Sequence, residues 1–189
     1  MVKKRASVFI SGNGTNLKAL IKNSKNYNFP ITIDYVVSSD KNAKGLKIAK
    51  LHNIKFNIFN SKIKLEENKI LKELKKRKIT LICLAGYMRI ISKNFIKKFN
   101  GKIINIHPSL LPKHKGLNTF SKAIKSKDKY TGCTVHYVSE KLDDGKIILQ
   151  KKVSINKNDN ENTLRLKVQK EEYKAYAEAV LMMFSKPNF

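Results

Sequence analysis

The sequence predicts an α/β fold, a three-layer sandwich whose central sheet is mostly parallel and becomes mixed, with antiparallel strands, toward the C-terminus. Three observations predict it. Residues 6–59 alternate short apolar runs with amphipathic stretches, which is the rhythm of βαβ units. Residues 79–84 are apolar on both faces, as a central parallel strand covered by helices must be. Two β-rich runs, residues 131–138 and 146–155, are joined by Leu142-Asp143-Asp144-Gly145, a turn sequence suited to antiparallel pairing.

Each element follows from its local pattern. A first strand at residues 6–11 runs into Gly12-Asn13-Gly14-Thr15-Asn16 and then a helical pattern marked by Leu17, Leu20 and Ile21. Glycines let the backbone approach an anion closely, and the amides and dipole of a helix start favour phosphate, so Gly14, Thr15 and Asn16 form a candidate cradle. The spacing is neither the GxGxxG fingerprint nor a P-loop, and a tight turn with Thr15 or Asn16 as N-cap would read the same way. A second strand at 31–38, a helix at 43–52 and a strand at 56–59 continue the alternation. Residues 64–78 form a lysine-rich amphipathic helix with Leu65, Ile70, Leu71 and Leu74 on its buried side. The strand at 79–84 ends in Ala85-Gly86, and a short helix at 92–99 leads to a strand at 102–106. An exposed helix is expected at 120–127. The final helix, residues 162–184, has Leu164, Val168, Val180, Leu181 and Phe184 as core candidates.

With 189 residues the chain can bury about 70% of its unfolded surface, so one compact domain is expected. No apolar run approaches the roughly 20 residues of a membrane helix, and the apolar segment after the basic residues 1–5 is too short for a signal-peptide core. Cys83 and Cys133 each sit in a strand-like run, which suits reduced core thiols, so a cytoplasmic protein is expected. His52, His107, His114 and His136 lack metal-ligand spacing, and no metal is expected. The net charge of +26 attracts polyanions, but only Arg5, Arg77, Arg89 and Arg165 of the 40 basic residues are arginine, and the lysines are spread through every segment. A single-strand binder interleaves a basic cluster with aromatics, and none is visible, so weak nonspecific attraction to RNA is expected without a dedicated nucleic-acid surface.

The segment richest in chemistry is Asn105-Ile106-His107-Pro108-Ser109-Leu110-Leu111-Pro112. Asn105 and His107 are two apart at a strand end, hence on one face, and the ends of parallel strands open onto the ligand crevice. Such a pair can donate to a developing oxyanion, while the prolines hold the following segment as a loop.

Taken together, ISGNGTNL at 10–17, LAGYMRI at 84–90, NIHPSLLP at 105–112, TVHYV at 134–138, LDDG at 142–145 and VQKEE at 168–172 resemble the glycinamide ribonucleotide formyltransferase family. The resemblance covers nearly the whole chain in a fixed order. It implies a single Rossmann-like formyltransferase domain over residues 1–189, with a mononucleotide-binding half at about 1–100 and a folate and catalytic half at about 101–189. It implies transfer of a formyl group from 10-formyltetrahydrofolate, a co-substrate, to the amino group of glycinamide ribonucleotide in de novo purine (IMP) biosynthesis. Asn105, His107 and Asp143 would be catalytic, with Asn105 and His107 as oxyanion donors and Asp143 orienting the imidazolium and assisting proton transfer. Asp144 competes with Asp143 for that last role. Gly14, Thr15, Asn16 and Glu172 would hold the ribonucleotide, and Lys62, Met88, Arg89, Ile90, Ile91 and Asn105 the folate. No membrane and no specific nucleic-acid partner are implied, and the chain would be a monomer or weak homodimer. The chain departs from the family at Lys115, Asn118, Phe120 and Lys146, positions that bear on loop shape and folate contacts. Methionyl-tRNA formyltransferases share the Asn-x-His chemistry but lack the early phosphate loop followed by Asn16-Leu17.

Overall fold

The structure is a computed structural model that describes residues 2–59 and 64–184. The element order is β1 (Lys4–Ile10), α1 (Thr15–Ser24), β2 (Ile31–Ser38), α2 (Gly45–Leu51), β3 (Lys55–Ile58), α3 (Lys64–Lys76) and β4 (Leu81–Leu84), then α4 (Lys93–Lys98), β5 (Lys102–His107), α5 (Thr119–Lys125), β6 (Tyr130–Tyr137), β7 (Ile147–Ser154) and α6 (Glu161–Phe184). The strands form a seven-stranded sheet in the order β3-β2-β1-β4-β5-β6-β7. The β1–β2, β1–β4 and β2–β3 pairs are parallel and β6–β7 is antiparallel, so the expected mixed α/β sheet is what forms.

Two compact units are distinguished, Met1–Ile104 and Asn105–Phe189. In the first, β1 and β4 carry the core: Ala6, Val8, Ile10, Leu81, Ile82 and Cys83 are all fully buried. Removing each large side chain of this kind from water contributes about 1.5–3 kcal/mol. The segment after β4 is packed by aromatic edges, with Tyr87 5.5 Å from Phe9 and Phe9 6.2 Å from Phe95. Its backbone is also tied down, because the Met88 N–H donates to Ser11 Oγ at 2.8 Å. In α3, Ile70 and Leu74 are buried as expected, but Leu71 is only half-buried. The Leu65 side chain lies outside the described residues. Glu67 takes the inward place instead, since its carboxylate accepts from Ser92 Oγ at 2.5 Å and from Ser92 N at 3.4 Å. Ser92 in turn caps α4 by accepting from Phe95 N at 3.0 Å.

In the second unit, α6 buries Leu164, Val168, Ala175, Tyr176, Ala179 and Val180. Two expectations for this helix change. Leu181 is 41% exposed and Phe184 half-buried, because the buried stripe runs through the small Ala175 and Ala179, which allow close packing. Both cysteines are buried and unbridged, and burial, reinforced by the negative charge of Glu172, pushes the Cys133 thiol up to about 12. Among the described residues, no helix is long and apolar enough to cross a membrane.

Candidate active site

The second unit assembles a buried polar cluster at the end of β5. Strand β5 runs one residue further than the sequence suggests and ends on His107, so the imidazole is held by the ladder and not by the loop that follows. His107 is 5% exposed. Its Nδ1 lies 3.4 Å from Asp143 Oδ2, and its Nε2 donates to the His114 carbonyl at 3.0 Å. Each ring nitrogen therefore faces an acceptor. Asn105 stands two residues back on the strand, half-buried, with Nδ2 3.3 Å from His136 Nε2.

Asp143 reaches the cluster through a left-handed backbone (φ 47) in the turn between β6 and β7. Its side chain is 7% exposed, and Oδ2 also accepts from Gly116 N at 2.9 Å. Asp144 does something else. It is paired with Lys115 on the surface, and that hydrogen bond holds its carboxyl below the usual carboxylate range. Of the two neighbouring acids, the geometry brings Asp143 to the histidine. Lys115, one of the departures from the family pattern, is the residue that takes Asp144.

His136 is the member of the cluster that the sequence reading missed. It is 2% exposed, donates from Nδ1 to the Tyr137 carbonyl at 2.8 Å, and places Nε2 between Asn105 and Asp143, the latter at 3.7 Å from Oδ1. With the proton on Nδ1, a neutral ring has a lone pair at Nε2, which accepts from the Asn105 amide and fixes its orientation. A register shift between Val135 and His136 in the β6–β7 ladder re-aims this side chain. The sequence carries two hints: His136 lies in TVHYV at 134–138, one of the segments of the family resemblance, and by period 2 Thr134 and His136 interrupt an apolar strand on the same face.

Burial holds the His136 pKa below its ordinary value of about 6.5. Its folded pKa is therefore below its unfolded one, so the unfolded chain takes up the proton first. The stability it contributes is fully present above about pH 6.5 and is lost as pH falls through the folded value. His136→Phe should flatten the acid-side slope of the urea midpoint below about pH 6.5. Identical slopes in the two proteins would contradict the buried neutral ring.

The loop beyond His107 is clamped within the same unit. Thr134 Oγ1 donates to the Ser109 carbonyl at 2.7 Å and accepts from Leu111 N at 3.1 Å. Gln150 Nε2 donates to the Leu111 carbonyl at 2.9 Å. Every buried group in this network has a partner, as a rigid support for His107 requires.

The other expected site residues fall as follows. Gly14 is the N-cap of α1 in a left-handed conformation (φ 71), in place of the Thr15 or Asn16 cap that the sequence also allowed; Thr15 and Asn16 form the first turn, with Asn16 buried. Met88 and Ile90 are 65% and 80% exposed, Arg89 is exposed and Ile91 half-buried, all after β4. Glu172 is half-buried on α6. Lys62 lies outside the described residues. A cavity of about 620 Å³ in the first unit is lined by Tyr35, Lys50, Lys55, Phe56, Lys69 and Arg77, none of them an expected site residue, and its lysines flank the edge strand β3.

Comparison with known proteins gives a consistent picture. A family profile described as formyl transferase matches residues 4–180. The chain is 41% identical to the phosphoribosylglycinamide formyltransferase of Haemophilus influenzae, covering 92% of this chain and 84% of that protein. It is 40% identical to the human trifunctional purine biosynthetic protein adenosine-3 over 97% of this chain, and spans 18% of that protein's length. Among solved structures, the phosphoribosylglycinamide formyltransferase of Brucella melitensis superposes with a TM-score of 0.90 at 40% identity, covering 97% of this chain and 96% of that one.

Proposed function

Because the chain belongs to the formyl transferase family, and to its phosphoribosylglycinamide formyltransferase branch, we propose that it transfers the formyl group of 10-formyltetrahydrofolate to the amino group of glycinamide ribonucleotide in de novo purine (IMP) biosynthesis. The observation that carries this reading is the buried grouping of Asn105, His107 and Asp143 around His136.

The reaction is acyl transfer. The substrate amine attacks the formyl carbon, a C–N bond forms, the carbonyl oxygen becomes an oxyanion, and the bond to N10 of the folate breaks. Asn105 donates one amide hydrogen to His136, which leaves the second for the oxyanion. Such a donor needs no titration and no reorganisation. His107 donates to the same oxygen and delivers a proton to the departing nitrogen. To do so it exchanges the His114 carbonyl for the substrate oxygen at Nε2, one acceptor for another. Asp143 keeps the ring oriented and accepts, through water, the proton shed by the amine. None of these roles calls for a metal.

In this reading residues from about 1–100 form the mononucleotide-binding half, with the segment after β4 also serving the folate, and about 101–189 form the folate and catalytic half, with Glu172 also serving the ribonucleotide. Gly14, Thr15 and Asn16 hold the ribonucleotide phosphate and Glu172 accepts from its ribose hydroxyls. Lys62, Met88, Arg89, Ile90, Ile91 and Asn105 contact the folate. The Met88 N–H already serves Ser11, so the folate contacts of Met88 are its carbonyl and exposed side chain.

The test supplies both substrates to the purified protein and follows deformylated folate and formylated nucleotide together. Equal amounts of the two products are expected. Folate release without formylated nucleotide would identify a hydrolase and overturn the reading.

A further inference from the structure

We propose that Gly45, the first residue of α2, is a positioning residue for the ribonucleotide phosphate: it lets the start of α2 press against the glycine loop and sets the direction of the Asn13 amide. The inference rests on the reading of Gly14–Asn16 as the phosphate cradle and deepens it, since Gly45 lies about thirty residues further along the chain and belongs to none of the motifs that suggested the site.

The contact is backbone against backbone. Gly45 N–H donates to the Gly12 carbonyl at 3.0 Å. A Cβ on Gly45 would stand 3.1 Å from Gly14 Cα and 3.4 Å from Gly12 O, and 2.5 Å from Ile10 Cδ1. Conversely, a Cβ on Gly14 would stand 2.6 Å from Gly45 Cα. The two glycines touch because neither has a side chain, and Gly14 also occupies the left-handed region that L side chains avoid.

That contact has a directional consequence. A trans peptide is planar, with its C=O and N–H pointing opposite ways. Turning the Gly12 carbonyl toward α2 therefore turns the Asn13 N–H away from it, on the lip of the loop where Gly12 and Asn13 are exposed. Just beyond, the Lys18 N–H closes the first helical bond onto the Gly14 carbonyl at 2.9 Å, so the amides that follow Gly14 open a ten-residue helix with its dipole behind them. An anion seated there meets the helix start and the Asn13 amide together. A methyl at position 45 would crowd Gly14 Cα at 3.1 Å, while its 3.4 Å approach to Gly12 O is an ordinary contact; displacing Gly14 turns the Asn13–Gly14 segment of the loop, which weakens the phosphate contact without touching Asn105, His107 or Asp143.

The experiment compares wild type, Gly45→Ala, Ile10→Val and the Gly45→Ala/Ile10→Val double variant. Valine at position 10 removes the Cδ1 atom that a new Cβ would strike, so the double variant relieves core crowding but keeps the clash with the loop. Glycinamide ribonucleotide binding is measured by calorimetry, steady-state constants are measured for both substrates, and thermal midpoints report folding. Gly45→Ala should raise the ribonucleotide Kd and KM by about 10- to 100-fold, the loss expected from misaligning one charge-assisted hydrogen bond. Its kcat and folate KM should stay within about 2-fold of wild type. The double variant should recover thermal stability and not ribonucleotide affinity. Unchanged ribonucleotide affinity in Gly45→Ala, equal losses for both substrates, or affinity restored together with stability would each overturn the inference. A wild-type protein that neither binds nor formylates the ribonucleotide would instead overturn the underlying reading, a result distinct from all of these.

Discussion

His107→Ala should lower kcat by about 1000-fold while the protein stays folded, because in the proposed chemistry the substitution removes an oxyanion donor and a proton donor at once. The folded state tolerates the change better than the reaction does, since the imidazole packs at the end of β5 and its neighbours Asp143 and Gly116 keep their mutual hydrogen bond at 2.9 Å. Asn105→Asp is the sharper companion. It is nearly isosteric, yet it places a carboxylate where the oxyanion forms, so the donor becomes a like charge. A loss of at least about 1000-fold is expected there too. The residues act as a unit around His136, so the His107→Ala/Asp143→Ala pair should be little slower than His107→Ala alone. Circular dichroism and urea midpoints establish folding, and kcat with both substrates saturating gives the rate. If His107→Ala retains turnover within about 10-fold of wild type, the imidazole is not in the reaction and the proposed chemistry fails.

The contrast between what could and could not be foreseen follows from the range of the forces involved. Strands and helices are set by hydrophobic periodicity along the chain, which is why β2 falls on the residues expected and β1, α4 and β7 shift by only one or two. Burial within a helix is less legible, because it depends on the partner surface: Glu67 turns inward to reach Ser92, twenty-five residues away, while Leu181 at the far end of α6 stays open. The pairing of Asn105 with His107 needed only the two-residue period of a strand. The family resemblance already put the acid at Asp143, after Leu142, but the physical reason that Asp143 and not Asp144 turns to the histidine, a left-handed φ and the competing attraction of Lys115, has no local signature. His136 needed a ladder irregularity at Val135/His136, and the capping of His107 by the His114 carbonyl needed the left-handed turn at His114 (φ 53). The family resemblance could transfer residues that match a motif, but it could not say what they touch.

Gly145→Ala should be nearly as damaging as loss of His107, although Gly145 carries no functional group. A Cβ there would lie 1.7 Å from the Tyr137 carbonyl oxygen and 2.7 Å from its carbon, both rigid backbone. Since a comfortable contact is about 3.5 Å, the turn or the end of β6 must move by more than about 1 Å. Both alternatives reach the site. The Tyr137 carbonyl is the acceptor that holds His136 Nδ1 at 2.8 Å, and the Tyr137 N–H donates to the Lys146 carbonyl at 2.9 Å, one residue beyond the glycine. If the turn moves, Asp143 leaves His107; if the strand moves, His136 leaves Asn105. Overpacking of this kind destabilises by about 1–3 kcal/mol, and a displacement of about 1 Å in a catalytic group lowers the rate about 100-fold. Gly145→Ala should therefore show a reduced urea midpoint with an unchanged slope and a kcat at least about 100-fold below wild type. Asp144→Asn, one residue earlier but on the surface, is the control: it breaks only an exposed ion pair with Lys115 and should leave the urea midpoint close to that of wild type. A Gly145→Ala protein with wild-type turnover would show that the turn can give way without moving Asp143, and the coupling of that turn to the histidine pair would have to be abandoned.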